Sequence, residues 1–138
     1  MSDPNDMNKQ VIAEFRAHEG KVGGFFANAD LVLLHTIGAK SGKEHVTPLM
    51  TMQDGERLFV IASKGGAPTN PAWYYNILAN PEVEVEFGTE QFKAVTTVAA
   101  EPERTELYER MAAKHEFFTG YAQNTERTIP VVILNRQV

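Results

Sequence analysis

Residues 82–88 read EVEVEFG, an unbroken alternation of acidic and apolar side chains. A period of two is the repeat of a strand with one wet face and one buried face, and a helix of 3.6 residues per turn cannot satisfy it. Thr89-Glu90 then turns the chain straight into QFKAVTTVAA (91–100), so the two runs read as an antiparallel hairpin. A second hairpin is marked by Gln53-Asp54-Gly55-Glu56, between HVTPLMTM (45–52) and RLFVIAS (57–63). LVLLHTI (31–37) is an apolar run short enough for a buried strand, and TIPVVIL (128–134) is a last strand in which Pro130 signals an edge or a bulge.

Three helices are expected around these six strands. Asn5 or Asp6 would cap the first, running to about His18 with Met7, Val11, Ile12 and Phe15 on one apolar stripe. KVGGFF (21–26) follows as a glycine-rich joint carrying two exposed phenylalanines. Asn70-Pro71 is a start signal, a capping Asn and then Pro at the first helical position, for PAWYYNILA (71–79). Pro102 opens a helix to about His115, with Leu107, Met111 and Ala112 inward, and FFTGYAQNTER (117–127) breaks the pattern. Hairpin-linked strands without βαβ alternation exclude a doubly wound nucleotide fold. They indicate an α+β, mainly β chain: a small antiparallel barrel or sandwich with helices packed on it. At 138 residues this is one domain, with 1–20 as tail and helix and 21–138 as the barrel.

Composition narrows the chemistry. A formal net charge of −5 opposes general nucleic-acid binding, which needs a basic field. The absence of cysteine removes disulfides, thiolate metal sites and a cysteine nucleophile. The start, MSDPNDMNKQ, is polar and acidic, and no apolar run approaches the ~20 residues of a membrane span. A cytoplasmic protein is the expectation.

GAKSGKEHVTP (38–48) looks like a phosphate loop and fails as a nucleotide one. Only three residues separate Gly38 from Gly42, Glu44 follows Lys43 where a magnesium-binding hydroxyl is needed, and a strand rather than a helix comes next. His18, His35, His45 and His115 have no metal-ligand spacing on one helix. Glu82, Glu84 and Glu86 share one strand face and read as solvated. No G-x-S-x-G elbow is present. Anion binding by loops is what remains. GAKSGK and SKGGAPTNP both combine glycines, a hydroxyl and lysines, the second running into a helix N-terminus. Beside the second loop stand Trp73, Tyr74 and Tyr75; Tyr75 reads as core, with a ligand-facing Trp73 as the alternative. Phe117, Phe118 and Tyr121 form a second aromatic group, and two anion loops with aromatics suit a flat heteroaromatic cofactor with a charged tail.

LLHTIGAKSGKEHVTPL, IASKGGAPTNPAWYYNILANPEVEVEFG and YAQNTERTIPVVIL, in that order, resemble the deazaflavin-dependent nitroreductase family. The resemblance covers about Phe15 to Leu134. It implies a six-stranded split β-barrel related to FMN-binding proteins. The implied cofactor is coenzyme F-420, a hydride carrier with a phosphodiester and an oligoglutamate tail. Carried over position by position, Gly38, Lys40, Ser41 and Gly42 would meet the tail, with His45 beside them. Val46, Thr47 and Pro48 would run along the ring. Ala62, Ser63, Lys64 and Gly65 would cradle the phosphate, Lys64 on the phosphodiester. Trp73 would close the tail channel, and Tyr121 would stand on the substrate side as a proton donor. Phe118 and Asn124 fall where some members carry substrate-side aromatics. Many members have arginine where this chain has Ala39 and His45, which removes two guanidinium groups suited to bidentate anion contact.

The implied activity is hydride transfer to an electron-poor acceptor such as a quinone, nitroaromatic or activated enone, as in nitroreductases and quinone reductases. FMN in the same fold, and a non-catalytic flavin or deazaflavin carrier, are the alternatives. No nucleic-acid partner is expected. Peripheral membrane contact through the first helix and a homodimer are both compatible with the reading.

Overall fold

The computed structural model describes residues 4–23, 29–66 and 69–137. Phe25 and Phe26, expected to be exposed, lie outside the described residues, as does the side chain of Met7. Helix α1 (Pro4–Ala17) leads into strands β1 (Asp30–Ile37), β2 (Glu44–Asp54) and β3 (Arg57–Ile61). After a short 3-10 turn (Lys64–Gly66) come α2 (Ala72–Ala79), β4 (Glu82–Phe87), β5 (Glu90–Val98), α3 (Glu103–Lys114), α4 (Phe117–Gln123) and β6 (Val131–Arg136). The six strands close an antiparallel barrel in the order β1-β2-β3-β6-β5-β4. Closure is made by β1 against β4, with Leu34 opposite Val85.

The apolar pattern of each strand follows from what covers its outer face. On β4, Val83 and Val85 enter the barrel core while the glutamates point outward. On β1 both faces are apolar because both are covered. Val32 and Leu34 fill the barrel, and Leu31 and Leu33 lie with Phe15 and Val22 under α1. On β3 and β6 the inward set is Leu58, Val60, Val132 and Leu134, and the outward set Phe59, Ile61, Val131 and Ile133 packs with α3 and α4.

Four expectations are revised. A fourth helix, α4, occupies the segment expected to break pattern, and it is held by packing. Phe118 is buried beneath α3, and the Tyr108 hydroxyl donates to the Phe118 carbonyl at 2.5 Å. Helix α1 begins at Pro4, so Asn5 and Asp6 lie inside its first turn rather than capping it. Pro71, not Asn70, is the N-cap of α2. Pro130 marks neither an edge nor a bulge: it precedes β6 in a closed barrel, and its carbonyl accepts the Ala62 N–H at 3.0 Å.

Glu86 departs from the solvated face expected of it. Arg16 of α1 grips it through Nε and Nη2, at 3.2 and 2.8 Å, and His35 Nε2 lies 2.6 Å from Oε2. The Arg16 hydrogen bond, opposed by burial and aided by His35, holds the Glu86 carboxyl below the usual carboxylate range. This ion pair fastens α1 to the outside of the barrel.

Candidate functional site

The barrel is split along β2. Residues Glu44 to Thr51 of β2 pair with β1, but pairing with β3 begins only at Thr51. The first half of β2, carrying Val46, Thr47 and Pro48, is therefore left beside an opening, where a residue without an N–H is tolerated. Two cavities occupy this region. One of about 760 Å³ is walled by the 38–41 loop, His45, Val46 and Thr47, by Asn8 of α1, and by Ala72, Trp73, Tyr75 and Asn76 of α2. The other, about 230 Å³, is lined by Pro48, Leu49, Met50, Ile61, Ser63, Lys64, Pro71, Trp73, Phe117, Phe118 and Tyr121. Trp73 borders both, and β2 passes from one to the other between Thr47 and Pro48.

Of the anticipated residues, Gly38, Lys40, Ser41, His45, Val46, Thr47 and Trp73 meet at the larger cavity. Pro48, Ser63, Lys64 and Tyr121 meet at the smaller. Gly42 and Ala62 line neither. Gly42 is exposed at φ +69°, and Ala62 is wholly buried in the barrel core. Gly65 lies in the 3-10 turn, and Asn124 is the exposed C-cap of α4. On α2 the Tyr75 assignment is revised: Tyr75 is not core but 50% exposed on the cavity rim, whereas Trp73, 6% exposed, packs into the core and also borders both cavities.

The two glycine loops are built differently. In the 38–43 loop the amides are largely spent within the structure. Gly38 N–H bonds Lys43 O, Gly42 N–H bonds Gly38 O, Lys43 N–H bonds Ser41 Oγ, and Ala39 N–H bonds Asn76 Oδ1 at 3.0 Å. A side chain at position 38 would meet Ser41 Oγ at 2.4 Å and His45 Nε2 at 3.1 Å, so it would displace the hydroxyl that accepts from Lys43 N–H. What the loop offers a ligand is then the exposed Lys40 ammonium beside His45. In the second loop Lys64 adopts φ +48°, a left-handed conformation costly for a residue with a Cβ. Gly66, at φ +82°, lies against the Tyr121 backbone, which seats α4 on the turn.

Asn76 and Arg127 escaped sequence reasoning. Asn76 ties the first loop to α2 and reaches Thr36 Oγ1 at 3.3 Å. Arg127 bonds Ala62 O, Ser63 O and Asn70 Oδ1 across the second loop. Their partners are about 40 and 60 positions away, so no local pattern marks either. At the aromatic end, His115 lies 5.7 Å from the Phe117 ring, and burial, helped by Lys114 and opposed by Asp30, holds it below the ordinary imidazole value.

The electrostatic character is distinctive. The chain has 18 acidic and 13 basic side chains, yet the residues lining these two cavities include no carboxylate and do include Lys40, Lys64 and His45. The other described cavities are each edged by glutamates. Such a cleft favours an elongated anion with an apolar aromatic portion. Among the described residues no metal-binding group is formed, and no helix is long and apolar enough to cross a membrane.

A family model described as F420H(2)-dependent quinone reductase matches residues 7–136. The F420H(2)-dependent quinone reductase of Mycobacterium tuberculosis H37Rv is 36% identical over 130 residues, covering 91% of this chain and 87% of the relative. A solved F420-H2 dependent reductase superposes with a TM-score of 0.70 at 35% identity, over 76% of this chain and 93% of its own. A solved chain described as a domain-swapped dimer gives a TM-score of 0.72 at 31% identity, over 96% of this chain and 100% of its own.

Proposed function

The chain belongs to the F420H(2)-dependent quinone reductase family and is an F-420-dependent oxidoreductase, and on that premise we propose that the cleft on either side of Trp73 holds the deazaflavin coenzyme for delivery of hydride to a quinone. The observation that carries this reading is the carboxylate-free, lysine-bearing lining within an acidic protein. Lys64, in its left-handed turn, meets the phosphodiester. Lys40 with His45 meets the anionic tail, and Val46, Thr47 and Pro48 flank the ring. Gly38, Ser41 and Gly42 shape the tail loop, while Ala62, Ser63 and Gly65 carry the backbone of the cradle.

When bound, the reduced deazaflavin supplies the hydride, so the protein needs neither triad nor metal. The chain binds, orients and excludes water. The small cavity, walled by Pro48, Leu49, Ile61 and four aromatic side chains, suits a flat electron-poor ring. A quinone that accepts hydride also needs one proton to become the hydroquinone. Tyr121 lines that cavity with Lys64, and its hydroxyl is the group proposed to donate it. Nitroaromatics and activated enones meet the same requirements. The relative described as a domain-swapped dimer supports a homodimer, which light scattering of the purified protein tests.

Parallel calorimetric titration with F-420 and FMN is the decisive measurement. F-420 is expected to bind and FMN to bind far more weakly; the opposite order overturns the reading. Lys64→Ala should raise the F-420 dissociation constant about tenfold, the effect of losing one charge-assisted contact of about 1.5 kcal/mol. Turnover against quinone, nitroaromatic and enone acceptors follows. Reduced coenzyme that stays bound and unoxidised across that panel would instead identify a carrier.

A further inference from the structure

We propose that Arg127 is a positioning residue that organises the phosphate cradle from behind. It turns the backbone N–H groups of Ser63 and Lys64 toward the coenzyme's phosphodiester. The inference rests on the placement of Lys64 in that cradle.

The geometry is specific. Arg127 Nη1 donates to Ala62 O at 3.1 Å and to Asn70 Oδ1 at 2.8 Å, and Nη2 donates to Ser63 O at 2.6 Å. The guanidinium thus fastens both ends of the 62–70 segment with one planar fork, which a lysine ammonium cannot reproduce. In a trans peptide the C=O and the following N–H point in opposite directions. Holding the oxygens of Ala62 and Ser63 on Arg127 therefore turns the N–H of Ser63 and of Lys64 away from it. Ser63 and Lys64 line the smaller cavity. Successive N–H groups beside a left-handed residue form an anion-binding concavity.

The cradle also contains the strain such a clamp must hold. Lys64 sits at φ +48°, and Gly66 N–H closes the turn onto Ser63 O at 3.0 Å. A non-glycine residue in this region costs about 1–3 kcal/mol and persists only where its surroundings over-determine it. Arg127 on one side and the close approach of Gly66 to α4 on the other supply that constraint.

The test compares coenzyme F-420 with the deazaflavin riboside that lacks phosphate and tail. Arg127→Lys should weaken F-420 binding tenfold or more and leave riboside affinity within about twofold. Equal losses for both ligands would reduce Arg127 to general structural support, and no loss for either would remove it from the cradle; each overturns the proposal. In 15N-labelled wild-type protein, the Ser63 and Lys64 amide resonances should move on adding F-420 and not with the riboside. Amides that stay in place overturn it independently, so the outcome stands even where Arg127→Lys does not fold. Asn70→Ala, which removes the Arg127 Nη1–Asn70 Oδ1 contact, should give a smaller loss confined to F-420. If Lys64→Ala is without effect on F-420, the cradle assignment itself has failed. If Lys64→Ala weakens binding and Arg127→Lys does not, only the clamp has failed.

Discussion

At the scale of single residues, side chains with an intrinsic chemistry were readable and side chains defined by their partners were not. Lys40, Lys64 and Tyr121 stand out as ligand candidates because an ammonium or phenol beside glycine-rich turns has an evident use. Asn76 and Arg127 are ordinary in sequence and acquire their place only from acceptors brought to them by folding. Glu86 shows the same limit in reverse: the alternation of residues 82–88 puts it outward, and only Arg16, some 70 positions earlier, turns it into an anchor. Its folded carboxyl titrates below the usual range, so its stabilising contribution is complete above about pH 4.5 and is lost as pH falls through the folded value. Glu86→Gln should therefore lower stability at pH 7 by about 1–3 kcal/mol, since it removes the carboxylate that Arg16 grips. Urea melts between pH 7 and 3 should show a flatter acid dependence in the variant. An unchanged slope would deny Glu86 this role.

At the scale of elements, periodicity located all six strands, because strands that bury one or both faces carry that fact in their side chains. Helix α4 was missed for a physical reason. Seven residues with an internal Gly120 fall short of the length at which helical periodicity is visible, and so short a helix is stable only through packing. Its seat is tested at Gly66. A Cβ there would stand 3.1 Å from the Tyr121 backbone, and φ +82° disfavours any L side chain. Gly66→Ala is expected to cost about 1–3 kcal/mol in denaturant melts and to weaken quinone turnover by shifting α4 relative to the cradle. Gly55→Ala, also at positive φ but with open space around its Cβ, should cost stability while sparing turnover. Equal effects of the two variants on turnover would show that α4 does not communicate with the site.

At the scale of the whole molecule, the barrel core is one packed cluster drawn from every strand except β2, with Leu49 of β2 packed against it. Leu34 lies at its closure, opposite Val85, and is fully buried. Leu34→Ala should destabilise the protein by about 2–5 kcal/mol with an unchanged urea m-value, the response of a cavity opened in a single packed core. A reduced m-value would indicate that the barrel unfolds in parts. The sequence by itself determined the strand count, the mainly β class and the place of the two glycine- and lysine-bearing loops, because alternation, turn chemistry and glycine placement are local properties. Only the tertiary structure decided that β2 leaves β3 at Thr51 and opens a split, that Trp73 divides the resulting cleft, and that its lining excludes every carboxylate. Those are relations between residues far apart in the chain, and they exist only once barrel closure has brought their strands and loops together.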